Sequence, residues 1–207
     1  MLCFGPNRGR EVTYTNPRRW LPGFQPDDTD TALRTLVTRY LYAYGPATPR
    51  HFARWLSIPP RRAIELFDQL AGELEPVELN GEPGWVIAGD IETPHEPHRG
   101  IRLLPYFDAL VVAGQPRERL YPGAAATRAL TPAGQAGSYP VMLVDGVVGG
   151  VWHQRRSGRR VAITVEPLRE LTVTQRRLLD DEVELVGEFM EATPKLTVGT
   201  VTVGPHA

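Results

Sequence analysis

Hydrophobic positions between residues 29 and 71 recur every three or four residues, which predicts helices. The first helix begins at Asp28 or Thr29, because either side chain can cap it, and it ends at Gly45. The second begins after Thr48, where a hydroxyl-bearing residue precedes a proline at the first helical position. A third helix is predicted over residues 61–71.

Two strand-like runs follow the third helix, separated by a turn at Asn80-Gly81. Three helices followed by a β-hairpin is the element order of a winged helix. We therefore predict a winged-helix domain over residues 29–90. The prolines and histidines of residues 91–100 indicate a linker.

Beyond residue 100 the pattern is mostly that of β-strands. We predict a strand pair broken at Pro105, a polar loop over 115–139, and a strand–turn–strand unit at Asp145-Gly146. An amphipathic helix is predicted over 174–190 and a last strand after it. The fold class is α+β, and residues 101–207 form a small, mostly antiparallel, β-barrel-like domain with one helix.

The most informative stretch is residues 147–166, in which two β-rich runs flank RRSGRR. A turn at Ser157-Gly158 places Arg156 opposite Arg159 and Arg155 opposite Arg160. Like charges directly opposite each other destabilise a sheet, so an anionic partner such as nucleic acid is one explanation. A solvated tip that promotes solubility is the other. His153 is a candidate base contact in the same strand, or merely an exposed residue.

Total charge does not distinguish these alternatives, because the formal net charge is −1. The distribution is more informative: residues 101–160 carry eight arginines against three carboxylates. The single cysteine, Cys3, is consistent with a reducing compartment, and no apolar run approaches the ~18 residues of a membrane span. We expect a cytoplasmic protein without membrane contact, which is nucleoid-associated if it binds DNA.

The helical region offers weaker candidates for DNA contact. Arg50 and Arg54 lie four residues apart and share a helix face, where they either bind phosphate or point into solvent. Arg61 and Arg62 open the third helix, but four carboxylates follow them by residue 75. Such a helix is expected either to be structural or to touch only the DNA backbone through Arg61 and Arg62, because its carboxylates oppose binding to phosphates.

Other polar groups are given structural roles. Asp108 lies in an apolar stretch and is predicted to form an ion pair with Arg102, Arg117 or Arg119, of which Arg102 is the first candidate. The acidic run over residues 180–188 is interpreted as a solvated helix face. His95 and His98 have no accompanying Cys or His cluster, so no metal and no cofactor are assigned.

Two sequence blocks carry a family resemblance. Residues 45–55, GPATPRHFARW, and residues 103–108, LLPYFD, resemble the AlkZ-like family of winged-helix DNA glycosylases. The resemblance implies tandem winged-helix modules, a β-barrel-like C-terminal domain, and DNA binding. It also implies that this chain corresponds to the C-terminal half of the family architecture. Residues 1–28 would then be the hairpin and linker left from a preceding winged-helix module.

Family chemistry is expected to depend on a Gln-hydrophobic-Gln or Gln-hydrophobic-Asp motif in the half that this sequence does not match. Gln25-Pro26-Asp27 has the spacing but carries a proline in the middle, so no catalytic residue is assigned. We predict a protein that binds double-stranded DNA without excising bases on its own, with a possible protein partner that supplies the missing modules. The alternatives are an active glycosylase for alkylated bases or interstrand crosslinks, and a protein-interaction module.

Overall fold

The computed structural model describes residues 2–79, 81–92 and 99–204 of the chain, which folds as a mixture of helices and small sheets. Near the N-terminus, β1 (Cys3–Phe4) pairs antiparallel with β2 (Tyr14–Thr15). A single 3-10 turn, Pro17–Arg19, follows this short hairpin.

Three helices and a hairpin form the next unit. Its elements are α1 (Thr29–Tyr44), α2 (Pro49–Leu56), α3 (Pro60–Gln69), β3 (Leu74–Leu79) and β4 (Glu82–Ile87). The predicted helix starts are confirmed: the Asp28 carboxylate accepts hydrogen bonds from the first turn of α1, and the Thr48 hydroxyl accepts one from the His51 amide. Helix α1 ends before Gly45, as predicted.

Aromatic side chains dominate the core of this unit. Tyr40 and Phe52 are buried, and their rings meet edge to face with centroids 5.3 Å apart. Val37, Leu66 and Phe67 complete the contact between the helices. Burial of each large apolar side chain contributes about 1.5–3 kcal/mol, so this packing stabilises the unit far more than helix propensity does.

The second unit is built on one five-stranded sheet. Its strands are β5 (Ile101–Leu104), β6 (Val141–Val144), β7 (Val147–Ser157), β8 (Arg160–Pro167) and β9 (Thr193–Val198), hydrogen-bonded in that order. All neighbours are antiparallel except β8 and β9, which are parallel. The outer strands β5 and β9 do not pair with each other, so the sheet is open, and the predicted barrel-like closure is not found.

Four helices accompany this sheet instead of the one predicted. Besides α7 (Val173–Phe189), the chain forms α4 (Ala109–Ala113), α5 (Arg117–Leu120) and α6 (Ala124–Ala129). The stretch after Pro105 was predicted to be a strand, but the Asp108 carboxylate caps α4 by accepting from the Leu110 amide at 2.9 Å. Tyr121, Ala125 and Ala129 are buried against the sheet, which turns the predicted polar loop into packed structure.

The predictions for two acidic groups were wrong. Glu182 of α7 is only 8% exposed, and it accepts hydrogen bonds from Arg102 Nη1 at 2.7 Å and from the Leu103 amide at 3.2 Å. The acidic run is therefore not wholly a solvated face, because one carboxylate points inward and ties α7 to β5. Arg102 consequently pairs with Glu182 and not with Asp108, whose carboxylate caps α4.

Hydrophobic cores lie on both faces of the sheet. On one face, Trp152, Val161 and Ile163 pack against α7. On the other, Val148 and Val151 pack against the short helices and residues near Val201. None of the described helices combines the length and apolar character needed to cross a membrane.

Candidate nucleic-acid interface

The basic hairpin exists, but its turn lies one residue later than predicted, so the cross-strand register is shifted by two residues. Ser157 pairs with Arg160, which leaves Gly158 and Arg159 as the two turn residues. Gly158 has φ +59°, a conformation that glycine adopts without the steric cost of a side chain. One class of two-residue hairpin turn requires positive φ at the first of its two central residues, where glycine is favoured. Gly158 occupies this position, so the turn is Gly158-Arg159 and not Ser157-Gly158.

This register removes the predicted pairs of facing arginines. Arg156 lies opposite Val161, and Arg155 lies opposite Ala162. The expected destabilisation from like charges across the strands is therefore absent at these pairs, and it cannot be the reason for an anionic partner. What remains is the exposure of the four arginines and their position at the outer end of the β7–β8 hairpin, where β9 flanks β8.

The outer part of β7 projects beyond its neighbour β6. Strand β6 pairs with β7 only as far as Val151, whereas β8 follows β7 to Ser157. All four hairpin arginines are exposed, and none forms a salt bridge within the part of the chain that the structure describes. Arg156 donates from Nε to the Gly158 carbonyl at 3.1 Å, which holds it along the turn.

His153 is half-buried on β7 and pairs with Thr164 of β8. Since side chains alternate along a strand, it lies on the face opposite the buried Trp152. Its interpretation as a base contact stays a prediction.

Two anchors hold the inner end of the hairpin. The Trp152 indole Nε1 donates to the Leu104 carbonyl at 2.8 Å across the sheet. The Glu166 carboxylate accepts from Arg128 Nε at 2.9 Å and Nη2 at 3.0 Å, and also from the Val201 amide at 2.7 Å. Hydrogen bonding to Arg128 holds the pKa of Glu166 below its usual range. The carboxylate therefore stays charged but is neutralised by its partner.

The helical arginines are arranged differently. Arg61 and Arg62 share the carboxylate of Glu65, at 3.1 and 3.4 Å, which lowers the charge they present. Arg50 and Arg54 are exposed on α2. Neither forms a salt bridge among the residues described here.

A cleft of about 440 Å³ separates α2 from the start of the sheet unit. Arg54, Trp55, Phe107 and Arg117 lie in its lining. Burial lowers the pKa of Arg117, and the nearby charge of Arg54 lowers it further. Two positive charges thus lie close together at this seam, away from the hairpin.

Among the described residues no group of three or more His, Cys, Asp or Glu side chains could hold a metal ion. His95 and His98 lie outside the described residues. The Gln25-Pro26-Asp27 segment, which has the spacing of the family motif, is exposed and follows the 3-10 turn.

The sequence did not indicate the Glu166–Arg128 ion pair or the position of Lys195. Glu166 and Arg128 are 38 positions apart, and no local pattern indicates that they meet. The sequence also gives no sign of the position of Lys195, which lies beside Ala162 because β9 pairs in parallel with β8. The alternation of polar and apolar residues in β9 was a usable signal for its exposure, but not for its neighbours.

Three comparisons relate this architecture to known proteins. The model of the AlkZ-like family, described as DNA glycosylase AlkZ-like, matches residues 1–189. An interstrand DNA cross-link repair glycosylase of Streptomyces sahachiroi is 34% identical over 162 residues, covering 73% of this chain and 43% of that protein. The solved structure of Streptomyces sahachiroi DNA glycosylase AlkZ superposes with a TM-score of 0.77 at 27% identity, covering 96% of this chain and 54% of that one. This chain therefore spans about half the length of the relatives it matches.

Proposed function

Because the chain belongs to the AlkZ-like DNA glycosylase family, we propose that it binds double-stranded DNA through the basic hairpin of β7 and β8. The observation that carries this proposal is the exposure of four arginines, Arg155, Arg156, Arg159 and Arg160, on a projecting arm without carboxylate partners in the described structure. Unneutralised arginines release bound counterions from DNA when they contact phosphates, and this release drives association. The family relationship makes DNA the natural polyanion.

We propose further that residues 29–90 form a winged helix. The helices α1 to α3 precede the hairpin of β3 and β4, which is the required order. An additional bridge supports it: Ala47, between α1 and α2, exchanges backbone hydrogen bonds with Trp85 of β4 at 3.1 and 2.9 Å. This isolated bridge ties the connection between α1 and α2 to β4 of the hairpin.

The helix α3 of this unit is a poor candidate for reading bases. Arg61 and Arg62 are bound to Glu65, so their donors are partly occupied before any phosphate approaches. In the proposal this unit positions the hairpin and contacts the DNA backbone, with Arg50 and Arg54 as its accessible cations.

Salt-dependent DNA binding tests the proposal. If each of the four hairpin arginines meets one phosphate, replacing all four with Gln should reduce the magnitude of the negative slope of log K against log salt by about 3.6, and each arginine that meets no phosphate makes this loss smaller by about 0.9. Fluorescence anisotropy with a labelled duplex at several salt concentrations measures this slope. A matched control replaces Arg8, Arg10, Arg18 and Arg19, which lie on the N-terminal segment, with Gln. Equal losses in both variants, or none in the hairpin variant, would remove the hairpin from the interface.

A second candidate function concerns a protein partner. Phe4 and Tyr14 stack with ring centroids 5.6 Å apart, yet they are 72% and 64% exposed. Trp20 lies beside them, since its Nε1 donates to the Phe4 carbonyl at 3.2 Å. Such a patch of exposed aromatic residues is typical of a protein-binding surface. We propose that it receives a module that supplies the family's glutamine motif, so that DNA glycosylase activity arises in the combined protein.

A base-release assay tests this second proposal. The chain is mixed with the part of the Streptomyces sahachiroi relative that it does not match and incubated with DNA carrying a labelled alkylated purine. Release of base by the mixture, lost when Phe4 and Trp20 are replaced with Ser, is the expected result. Release by the chain by itself would instead establish it as a glycosylase in its own right.

A further inference from the structure

The register of β7, β8 and β9 gathers positive side chains on one face of the sheet. Paired residues of neighbouring strands share a face, and alternate residues along each strand share it too. One row across the three strands therefore contains Arg155, Ala162 and Lys195. The row nearer the hairpin tip contains Arg160, flanked by Ser157 and Thr193.

Exposure agrees with this assignment. Arg155, Arg160 and Lys195 are exposed, as is Ala162 between the first and the last of them. The next row inward contains His153, Thr164 and Thr197, which adds two hydroxyls and an imidazole to the same surface. Hydroxyl and cationic side chains are the usual donors to DNA phosphates.

The outer part of this face carries no free carboxylate among the described residues. In the strand pairing, the row beyond His153 brings Glu166, whose two oxygens are bound by Arg128 and the Val201 amide. Within the described chain, the rows from His153 to Arg160 thus present cations and hydroxyls with no carboxylate among them.

The opposite face has the reverse character. Arg156 lies on that face, opposite Val161, and its Nε is occupied by the Gly158 carbonyl. Helix α7 covers the same side, and its exposed carboxylates outnumber its two exposed arginines, Arg176 and Arg177; the carboxylates are those of Asp180, Asp181, Glu184 and Glu188. A DNA backbone approaching from this side would meet negative charge.

We propose that the DNA backbone lies across the sheet face formed by Arg155, Arg160 and Lys195, and that Lys195 binds a phosphate. This inference rests on the proposed DNA binding and goes beyond it by choosing one face of the hairpin and adding a residue from β9. Neighbouring strands are ~4.8 Å apart, so Arg155 and Lys195 start about 10 Å from each other and can reach separate phosphates.

Matched single-charge variants distinguish the two faces. Lys195→Gln and Arg155→Gln each remove one charge from the proposed face, whereas Arg156→Gln removes one from the other. Each of the first two should lower the salt slope by about 0.9 and weaken binding about 15-fold at 50 mM salt and about 4-fold at 200 mM. Arg156→Gln should leave the slope unchanged.

Lys195 is the only lysine among the 23 basic residues of the chain, which permits a direct chemical test. An amine-specific acetylating reagent can modify only Lys195 and the terminal α-amine, and peptide mass spectrometry separates the two. Saturating duplex should slow acetylation of Lys195 at least fivefold and leave the α-amine unaffected. Lys195→Arg, which keeps the charge, should bind DNA as the unmodified protein does.

The possible outcomes distinguish a failure of this inference from a failure of the proposed DNA binding. If the unmodified protein does not bind duplex, the proposed function itself fails. If it binds but Lys195 reacts equally fast with and without DNA, and Lys195→Gln keeps the full salt slope, the face assignment is overturned. Lys195 would then serve only to protect the exposed edge of β9 from pairing with another strand.

Discussion

Replacing Glu166 with Gln is expected to loosen the base of the hairpin. The Glu166 carboxylate accepts three hydrogen bonds, two from Arg128 and one from the Val201 amide, at 2.7–3.0 Å. The side chains of Arg128 and Glu166 are only 23% and 18% exposed, so water does not readily replace these bonds. A glutamine keeps one oxygen but turns an NH2 group toward donors, and it leaves the Arg128 charge without its partner.

The expected loss is about 3 kcal/mol in the free energy of unfolding. Hydrogen bonds to charged groups contribute about 1.5–3 kcal/mol each, and part of this is retained by the remaining amide oxygen. Urea unfolding followed by far-UV circular dichroism at pH 7 measures it. With a slope of ~2 kcal/mol per molar urea, the midpoint should fall by about 1.5 M. Glu170→Gln, at an exposed position in the loop before α7, should change stability by less than about 0.5 kcal/mol.

The difference between the unmodified protein and Glu166→Gln should depend on pH. Arg128 lowers the pKa of Glu166 in the folded protein below its ordinary value near 4.5. A lowered pKa contributes stability that is fully present above the unfolded value and is lost as pH falls through the folded value. The two proteins should therefore converge below pH 4.5. A difference that stays constant from pH 7 to pH 3, or no difference at pH 7, would refute the assigned role of the ion pair.

Three further substitutions test the local structure. Asp108→Ala should lower the unfolding free energy by about 1 kcal/mol, since it removes the cap on the Leu110 amide, while Asp108→Asn should retain most of it in the same urea assay. Gly187→Ala should cost about 2 kcal/mol, seen as a lower Tm, because its Cβ would lie 2.6 Å from Pro194 Cδ. Gly158→Ala should cost about 1 kcal/mol and speed hydrogen exchange in the outer hairpin, because φ is +59° there; unchanged exchange would contradict the turn assignment.

Elements defined by neighbouring residues were predictable from the sequence. The starts of α1 and α2 followed from Asp28 and Thr48, whose side chains cap amides two or three positions ahead. The turn at Asp145-Gly146 was predicted too, and both residues adopt the positive φ that such a turn needs. The family was also evident from two short sequence blocks, and the comparisons confirm it.

The predictions for the stretch after Pro105 and for the hairpin turn failed because a local interaction outweighed the pattern of apolar and turn residues. The apolar stretch after Pro105 resembles a strand, but it forms a helix, because the Asp108 carboxylate accepts a capping hydrogen bond from the Leu110 amide and Val111 packs in the sheet's second core. At the hairpin tip, the conformational freedom of Gly158 selected the turn position, and moving the turn by one residue shifted every cross-strand partner by two.

The sequence by itself determined that a basic β-arm follows a three-helix unit, because capping, periodicity and turn residues act over a few positions. Only the tertiary structure decided which face of that arm is cationic. Lys195 comes onto the same row as Arg155, with Ala162 between them, through the parallel pairing of β8 and β9, and Glu166 is neutralised by Arg128 from a distant helix. These relationships join residues 33–40 positions apart, and their formation depends on how the sheet and helices pack together.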